Sequence, residues 1–421
     1  MQKKDDLLRG LGFLALIASC FNCTVGGGIF RLPQSVYAIA GRGSLFVYVL
    51  CFLVMLSVAQ VFIQVGRTIT VSGGPYAYVK PILGSYWGYL CGVLLWFLAT
   101  FAFASVGNAY AHFVALLFTD GTERGVEALI LGVSLLGLGA FNGRGVKSGA
   151  RVSLILGGLK ILPLLFLCAI GIPHLNFDHL AFPQSLNGSE LARGAMVLIF
   201  AFTGVECALI PSGEIHAPEK TLPRALVLSL SLVLFLYLGV HSVSQSELGE
   251  GLTAPGISPL ALAAERLVGP VGAFILAVGA VISTLGYLSA MTLSLPRSLY
   301  AFSKDGYLPE FLSVVDSGSQ APVRAIWVQL GVVYFLSISS QFERLAVLSN
   351  LSAILMYGLC SIAALILLRR NSGLTLKVLI PISAMATMGF LLTSVTPQEW
   401  GSVFLLIALA SFLYRFKKVK A

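Results

Sequence analysis

"NCTVGGGIFRLP", residues 22–33, lies inside an apolar run that otherwise reads as a helix crossing a membrane. Gly26, Gly27 and Gly28 fall near mid-bilayer of a span running from Leu11 to Ile39, and glycine is among the poorest residues for continuing a helix. In hydrocarbon, a backbone N–H or C=O without a partner is costly, so non-helical backbone at that depth has to line a cavity or bind something. An unwound centre exposes the N–H groups that begin the second half-helix, where the positive dipole end favours a carboxylate. Its other edge, 22–25, offers carbonyls and the negative dipole end, suited to an ammonium group. One break can hold both ends of a zwitterion. The alternative is that the glycines only let helices approach closely, but packing motifs space their small residues one turn apart, and three in a row weaken the helix itself.

The composition agrees with a lipid environment. Only 11 % of the 421 residues are charged, against roughly 25 % in soluble domains, while 57 % are hydrophobic and the mean hydropathy is +0.90. Uncharged runs of about 20 residues, enough to cross a hydrocarbon core, recur along the whole chain. Twelve spans are expected, beginning near Leu11, Ser44, Ser85, Val126, Ala150, Gly194, Leu222, Gly269, Val323, Leu345, Leu374 and Pro397. The first shows no small-residue cleavage pattern and reads as a permanent helix. The polar connections, 173–193 and 244–259 the longest, are too short for a soluble domain. The chain thus reads as one membrane domain, 1–421.

A net charge of +9 raises the question of nucleic acid, and the distribution of charge answers it. Twelve spans put both termini on one side, together with twenty of the 27 lysines and arginines, among them Lys3, Arg67, Lys80, Lys147, Arg297, Lys304, Arg369 and Lys418. The positive-inside rule makes that side cytoplasmic, so the expectation is a multi-pass protein of the plasma membrane with no nucleic-acid partner. The other side holds only Arg31, Arg42, Arg124, Arg193, Arg266 and Arg344, and Lys160 lies between the two. All seven cysteines fall within spans, so Cys20-x-x-Cys23 reads as buried thiols rather than a redox pair, for which a βαβ context is missing. The histidines show no metal spacing, and no cofactor or metal is expected.

A second irregular span, "IFAFTGVECALIPSGE" (199–214), carries Thr203-Gly204 at its centre and Pro211 and Gly213 further on. The broken spans are the first and the sixth, the spacing expected of inverted five-helix repeats that share a midplane site. Two ionisable residues also sit at depth, Glu206 beside the second break and Lys160 in the fifth span. Intramembrane charges mark functional sites by default. Glu206 reads either as a cap for N–H groups of the broken helix or as a gating or proton-handling group; Lys160 reads as cavity-facing or as half of an internal ion pair.

These residues resemble the amino acid-polyamine-organocation transporters over most of the chain. "VGGGIF" (25–30) is similar to the family's first-helix motif and "SGGPYAYV" (72–79) to the stretch after its second helix. "FAFTGVE" (200–206) with "GEIHAPEKTLPRAL" (213–226) is similar to the sixth helix and its exit, and "STLGYLSAMTLSLPRSLYAFSKDGYLP" (283–309) to the eighth helix with its D-G-x-L-P end. The resemblance implies an all-α integral membrane protein of the leucine-transporter-type fold, with about 12 transmembrane helices. Its two inverted repeats would be 11–172 and 191–370, their first and sixth helices broken, followed by two C-terminal helices in 374–416. It implies alternating-access transport of amino acids, sodium-independent and either proton-coupled or by exchange. Carried over to matching positions, the substrate carboxylate would meet the amides of Gly27 and Gly28, with Gly26 completing the motif, and the ammonium group the carbonyls of Thr24, Phe200 and Thr203. Phe202 would close over the substrate, Met291 would line the pocket, and Lys160 would stand near Ser283 and Thr284 in place of sodium.

Three departures from the family pattern shape the expected substrate. Gly27 replaces the motif's common serine, and Gln64 stands where many relatives have glutamate. The third-span face around Ala99, Thr100 and Phe103 has no carboxylate to meet a cationic side chain. Neutral or apolar amino acids are therefore expected, with protons and the lipid bilayer as the other partners. A cationic amino acid or polyamine exchanger using Glu206 as counter-charge is the alternative within transport. An ion channel or sensor on the same scaffold is the alternative outside it, against which stands the lack of charge rings. The chain has no H-E-x-x-H or G-x-S-x-G, so no enzyme is expected.

Overall fold

The computed structural model describes residues 12–66, 68–69, 74–118, 123–143, 155–156, 158–180, 187–206, 218–254, 258–316, 321–372 and 376–415. Among them there is no strand, and every regular element is a helix. The expected starts at Leu11, Ala150 and Leu374, and the irregular positions Pro211 and Gly213, lie outside the described residues.

Sixteen α-helices follow in chain order among the described residues. They are α1 (Phe13–Thr24), α2 (Leu32–Ala40), α3 (Ser44–Gly66), α4 (Gly74–Leu83), α5 (Ser85–Ala115), α6 (Arg124–Gly143), α7 (Ile161–Gly171) and α8 (Gly188–Leu198). The rest are α9 (Pro218–Leu248), α10 (Pro259–Val268), α11 (Pro270–Ser294), α12 (Pro296–Lys304), α13 (Val323–Ser339), α14 (Phe342–Ser372), α15 (Leu379–Leu392) and α16 (Pro397–Arg415). Among the described residues, six helical stretches are long and apolar enough to cross a membrane: 32–66, 85–115, 124–143, 219–253, 270–304 and 342–370. Shorter apolar helices occupy 161–174, 323–339 and 376–392.

The bundle is arranged around α5, which packs most extensively against α14 and also touches α4, α11, α13 and α6. Its apolar window is 83 % buried, against 22 % for α6. Leu129, Val133 and Leu136 of α6 are all more than half exposed and recur at helical spacing, as do Leu405, Leu409 and Phe412 of α16. Stripes of that kind suit contact with lipid tails and not with water. Inside, short polar side chains reach across to backbone carbonyls. Ser349 Oγ donates to Leu98 O at 2.8 Å, Ser105 Oγ to Phe342 O at 2.9 Å, and Asn350 Nδ2 to Met196 O at 2.7 Å.

Two helices stop inside the bundle. After α1, Val25 and Gly26 are extended, a 3-10 turn covers Gly27–Phe30, and the chain resumes as α2. After α8, a 3-10 turn at Ile199–Ala201 leads to Gly204, whose φ of 116° is open to glycine far more readily than to any residue with a Cβ. The breaks touch. A Cβ on Gly204 would lie 2.7 Å from Cys23 O and 3.0 Å from Thr24 N, so glycine is also what lets the two backbones cross.

Tyr237 of α9 joins them chemically. Its buried hydroxyl lies within donating distance of Ala201 O at 3.0 Å and Thr24 O at 3.3 Å, one carbonyl from each break. Replacing Tyr237 by phenylalanine removes the one proton that the two carbonyls share away from water, which costs about 1–3 kcal/mol. The melting temperature of the detergent-solubilised Y237F variant is expected to fall below wild type. Ser231→Ala, which removes only a back-bond to Val227 O within the same helix, should leave it unchanged.

Candidate functional site

A cavity of about 680 Å3 lies where the breaks cross. Thr24, Gly26 and Gly28 line it from the first break, and Phe200, Thr203 and Gly204 from the second. The 3-10 turn that starts at Gly27 leaves its leading N–H groups without intrahelical acceptors, and the end of α1 presents carbonyls to the same region. Two of those acceptors are already partly engaged. Thr24 O takes the Tyr237 hydroxyl, and Phe200 O takes the Thr203 hydroxyl at 2.8 Å, so each keeps one lone pair for a ligand.

Two of the charged residues lining the cavity lie deep in the bundle. Lys160, immediately before α7, is 5 % exposed and shares the cavity wall with Cys23 and Tyr287. Glu206 is buried, and its carboxylate accepts the Gly204 N–H at 3.0–3.1 Å and the Tyr357 hydroxyl at 3.0 Å. It therefore caps the backbone of the second break, and α14 supplies the second donor.

Phe200, Thr24, Gly26, Gly28, Thr203, Met291, Lys160 and Glu206 meet around this one cavity. Four other expected residues do not line it. Gly27 faces α11: a Cβ there would come within 2.2 Å of Thr284 Cγ2, which gives a steric reason for glycine where the resemblance leads one to expect serine. Thr284 is buried behind that contact and donates to Ala280 O of its own helix, and Ser283 is buried on the same stretch. Phe202, the expected lid, does not line the cavity in this conformation. It is fully buried, with its ring edge-on to Tyr237 at 5.5 Å, while Phe200 holds the cavity-facing position. Of the third-span residues, Ala99 lines the cavity, whereas Thr100 accepts from Gln329 Nε2 and Phe103 is buried elsewhere. Gln64 bonds Lys377 O, away from the site.

The cavity is not symmetric about the breaks. Toward the end of the bundle that carries Lys80, Arg297 and Lys304 it continues between Tyr89, Phe302 and Tyr307, with Arg297 and Asp305 in its wall. Toward the opposite end it meets Phe200, whose ring sits edge-on to Phe342 at 5.8 Å. Arg31 covers Phe342, with its guanidinium carbon 5.5 Å from the ring centre, and pairs with Glu343 at 3.4 Å; Ser35 Oγ donates to the same carboxylate at 3.0 Å. Beyond this plug lies a separate cavity of about 600 Å3, lined by Asn108, His112, Arg124 and Arg344 among others. The helix α5 runs past both, and its Tyr89 and His112 are about 34 Å apart along the axis.

Sequence reasoning missed the aromatic walls, the plug and Tyr237. The D-G-x-L-P stretch brackets Tyr307 and was the nearest available signal for one wall. Nothing local to Tyr237 distinguishes it from other tyrosines in apolar runs.

A family model described as amino acid permease matches residues 11–413. The chain is 28 % identical to the serine/threonine exchanger SteT of Bacillus subtilis, over the full length of both proteins. It is 28 % identical to the L-lysine transport protein of Corynebacterium glutamicum over 87 % of this chain and 76 % of that one. It is 29 % identical to an arginine/ornithine antiporter of Pseudomonas aeruginosa over 80 % of this chain and 73 % of the relative. A single bundle with lipid-facing flanks, two crossing breaks and a match over nearly its whole length make this chain a member of the amino acid permease family.

Proposed function

We propose that the chain crosses the plasma membrane twelve times with both termini in the cytoplasm, and carries neutral or apolar amino acids by alternating access. The inverted repeats 11–172 and 191–370 would each contribute one break to the shared site. The observation that carries the reading is a cavity at two crossing breaks, continuous toward the basic end and plugged toward the other. Its volume of about 680 Å3 falls in the range of small-molecule sites. The substrate carboxylate is assigned to the amides of Gly27 and Gly28, with Gly26 completing the motif, and its ammonium group to the remaining lone pairs of Thr24, Phe200 and Thr203. By the positive-inside rule the basic end faces the cytoplasm, so this conformation is open inward and closed outward by Arg31, Glu343, Phe342 and Phe200.

Relatives named for serine and threonine, lysine, and arginine and ornithine leave the side chain open. Glu206 favours a neutral one. Its oxygens are occupied by the Gly204 N–H and the Tyr357 hydroxyl, and withdrawing them to meet a cationic side chain would uncap the second break. Aromatic walls add apolar surface for the side chain. A counter-charge role for Glu206, and hence a cationic substrate, is the second reading. Lys160 is the proposed coupling group, since a cavity-facing amine beside both breaks can exchange a proton as the helices move.

Three measurements in proteoliposomes follow. Uptake of a labelled neutral amino acid should be competed by leucine or alanine more strongly than by arginine or putrescine; the reverse order favours the cationic reading, and no uptake of any amino acid or amine sinks the proposal. Lys160→Ala should abolish the dependence of uptake on an imposed pH gradient, and an unchanged dependence removes that lysine from coupling. Gly27→Ser forces the turn off α11 at an overpacking cost of about 1–3 kcal/mol and should reduce uptake. Adding Thr284→Ser, which deletes the obstructing methyl while keeping the hydroxyl, should restore part of it.

A further inference from the structure

The last helix, α16, contributes no residue to the cavity wall, and much of its surface is bare: Phe404, Leu405, Leu409 and Phe412 are each more than half exposed. Its two ends are nevertheless fixed. At the start, Glu399 takes a bidentate pair of contacts from Arg193 at 2.9 and 3.0 Å, together with the Thr396 N–H. At the other end it meets the mouth of the cavity.

That mouth is formed by two tyrosines from different parts of the chain. Tyr89 on α5 and Tyr307 in the turn after α12 both line the cavity, with ring centres 4.4 Å apart. Tyr414 of α16 packs against both, 5.1 Å from Tyr89 and stacked on Tyr307 at 5.9 Å with 18° between planes. Around it, the Tyr89 hydroxyl donates to Ala410 O at 3.0 Å, and Tyr86, one turn earlier on α5, shares a 2.8 Å hydrogen bond with Ser411 Oγ. The final turns of α16 are therefore keyed to α5 by two hydrogen bonds and to both walls by one ring.

We infer that Tyr414 is a positioning residue for the transport cavity, through which the last helix fixes the Tyr89 and Tyr307 rings and so sets the affinity met by substrate arriving from the basic, inward-facing end. The inference rests on the transport reading above. It is specific to one side. Substrate from the other side first meets the plug of Arg31, Glu343, Phe342 and Phe200, none of which Tyr414 touches. The contact is made by the ring alone, because the Tyr414 hydroxyl makes no hydrogen bond among the described residues.

The test compares KM measured from each face, in right-side-out and inside-out vesicles holding the full chain, with the same labelled neutral amino acid. Tyr414→Ala is expected to raise KM at the inward face about fivefold, the factor that one aromatic pair contributes, and to leave the outward KM within about twofold. Tyr414→Phe keeps the ring and should match wild type on both faces. Should the alanine variant fail to fold, Tyr414→Leu retains apolar bulk without a stacking ring and is expected to show the same one-sided shift. An unchanged KM on both faces, or an equal change on both, overturns the inference while leaving transport intact. Wild-type vesicles that take up no amino acid overturn the transport reading and this inference with it.

Discussion

A backbone that leaves its helix inside hydrocarbon has to find other partners, and the placement of several side chains in this bundle follows from that requirement. The first break hands one carbonyl to Tyr237, and the second hands Ala201 O to the same hydroxyl. Asn350 takes Met196 O just before the second break, and Glu206 receives the Gly204 N–H just after it begins. These partners come from α9 and α14, as well as from the broken segment itself. The site is therefore held by the surrounding helices, and either break can shift only if its external donors and acceptors shift with it.

The requirement also separates the two buried ionisable groups, which look alike in the sequence. Glu206 accepts from two protein donors, the Gly204 N–H across both oxygens and the Tyr357 hydroxyl, and so holds a turn in place. Lys160 is the N-cap of α7 and lines the cavity that both breaks share. An acid committed to structure and an amine set in a cavity wall are unequal candidates for coupling.

The helical layout was largely legible in the sequence because hydropathy over about 20 residues integrates many side chains, and errors in any one of them average out. The described helices begin within a few residues of the expected starts at Ser44, Ser85, Val126, Gly269, Val323, Leu345 and Pro397. Glycine runs and Thr203-Gly204 located the breaks for a local reason, since the residues that weaken a helix are the ones that mark its interruption. Side-chain direction beyond a break was not legible. A 3-10 turn advances about 120° per residue instead of 100°, and a positive φ at Gly204 reverses the path again, so helical phase no longer tells Phe200 from Phe202. Gly27 shows the same limit: its missing hydroxyl reads as a loss from a binding motif, and only the approach of Thr284 reveals a steric reason for it.

The plug and the mouth differ in chemistry. On the plugged side, a partly exposed Arg31–Glu343 pair and a single edge-on contact between Phe200 and Phe342 separate two cavities. An exposed ion pair contributes little net stability, because each partner regains water when the pair parts. That side can open at small cost. The other side is bounded by a connected set of aromatic rings, Tyr86, Tyr89, Phe302, Tyr307 and Tyr414, reaching from α5 to the final helix. Their rings pack on one another, and the Tyr89 and Tyr86 hydroxyls tie the cluster to Ala410 O and Ser411 Oγ, so closing or widening this mouth favours moving the rings as a group. On the alternating-access reading proposed above, easily hydrated charges at one end and a coherent aromatic cluster at the other would give the two ends different barriers, and the carrier need not run equally fast in both directions.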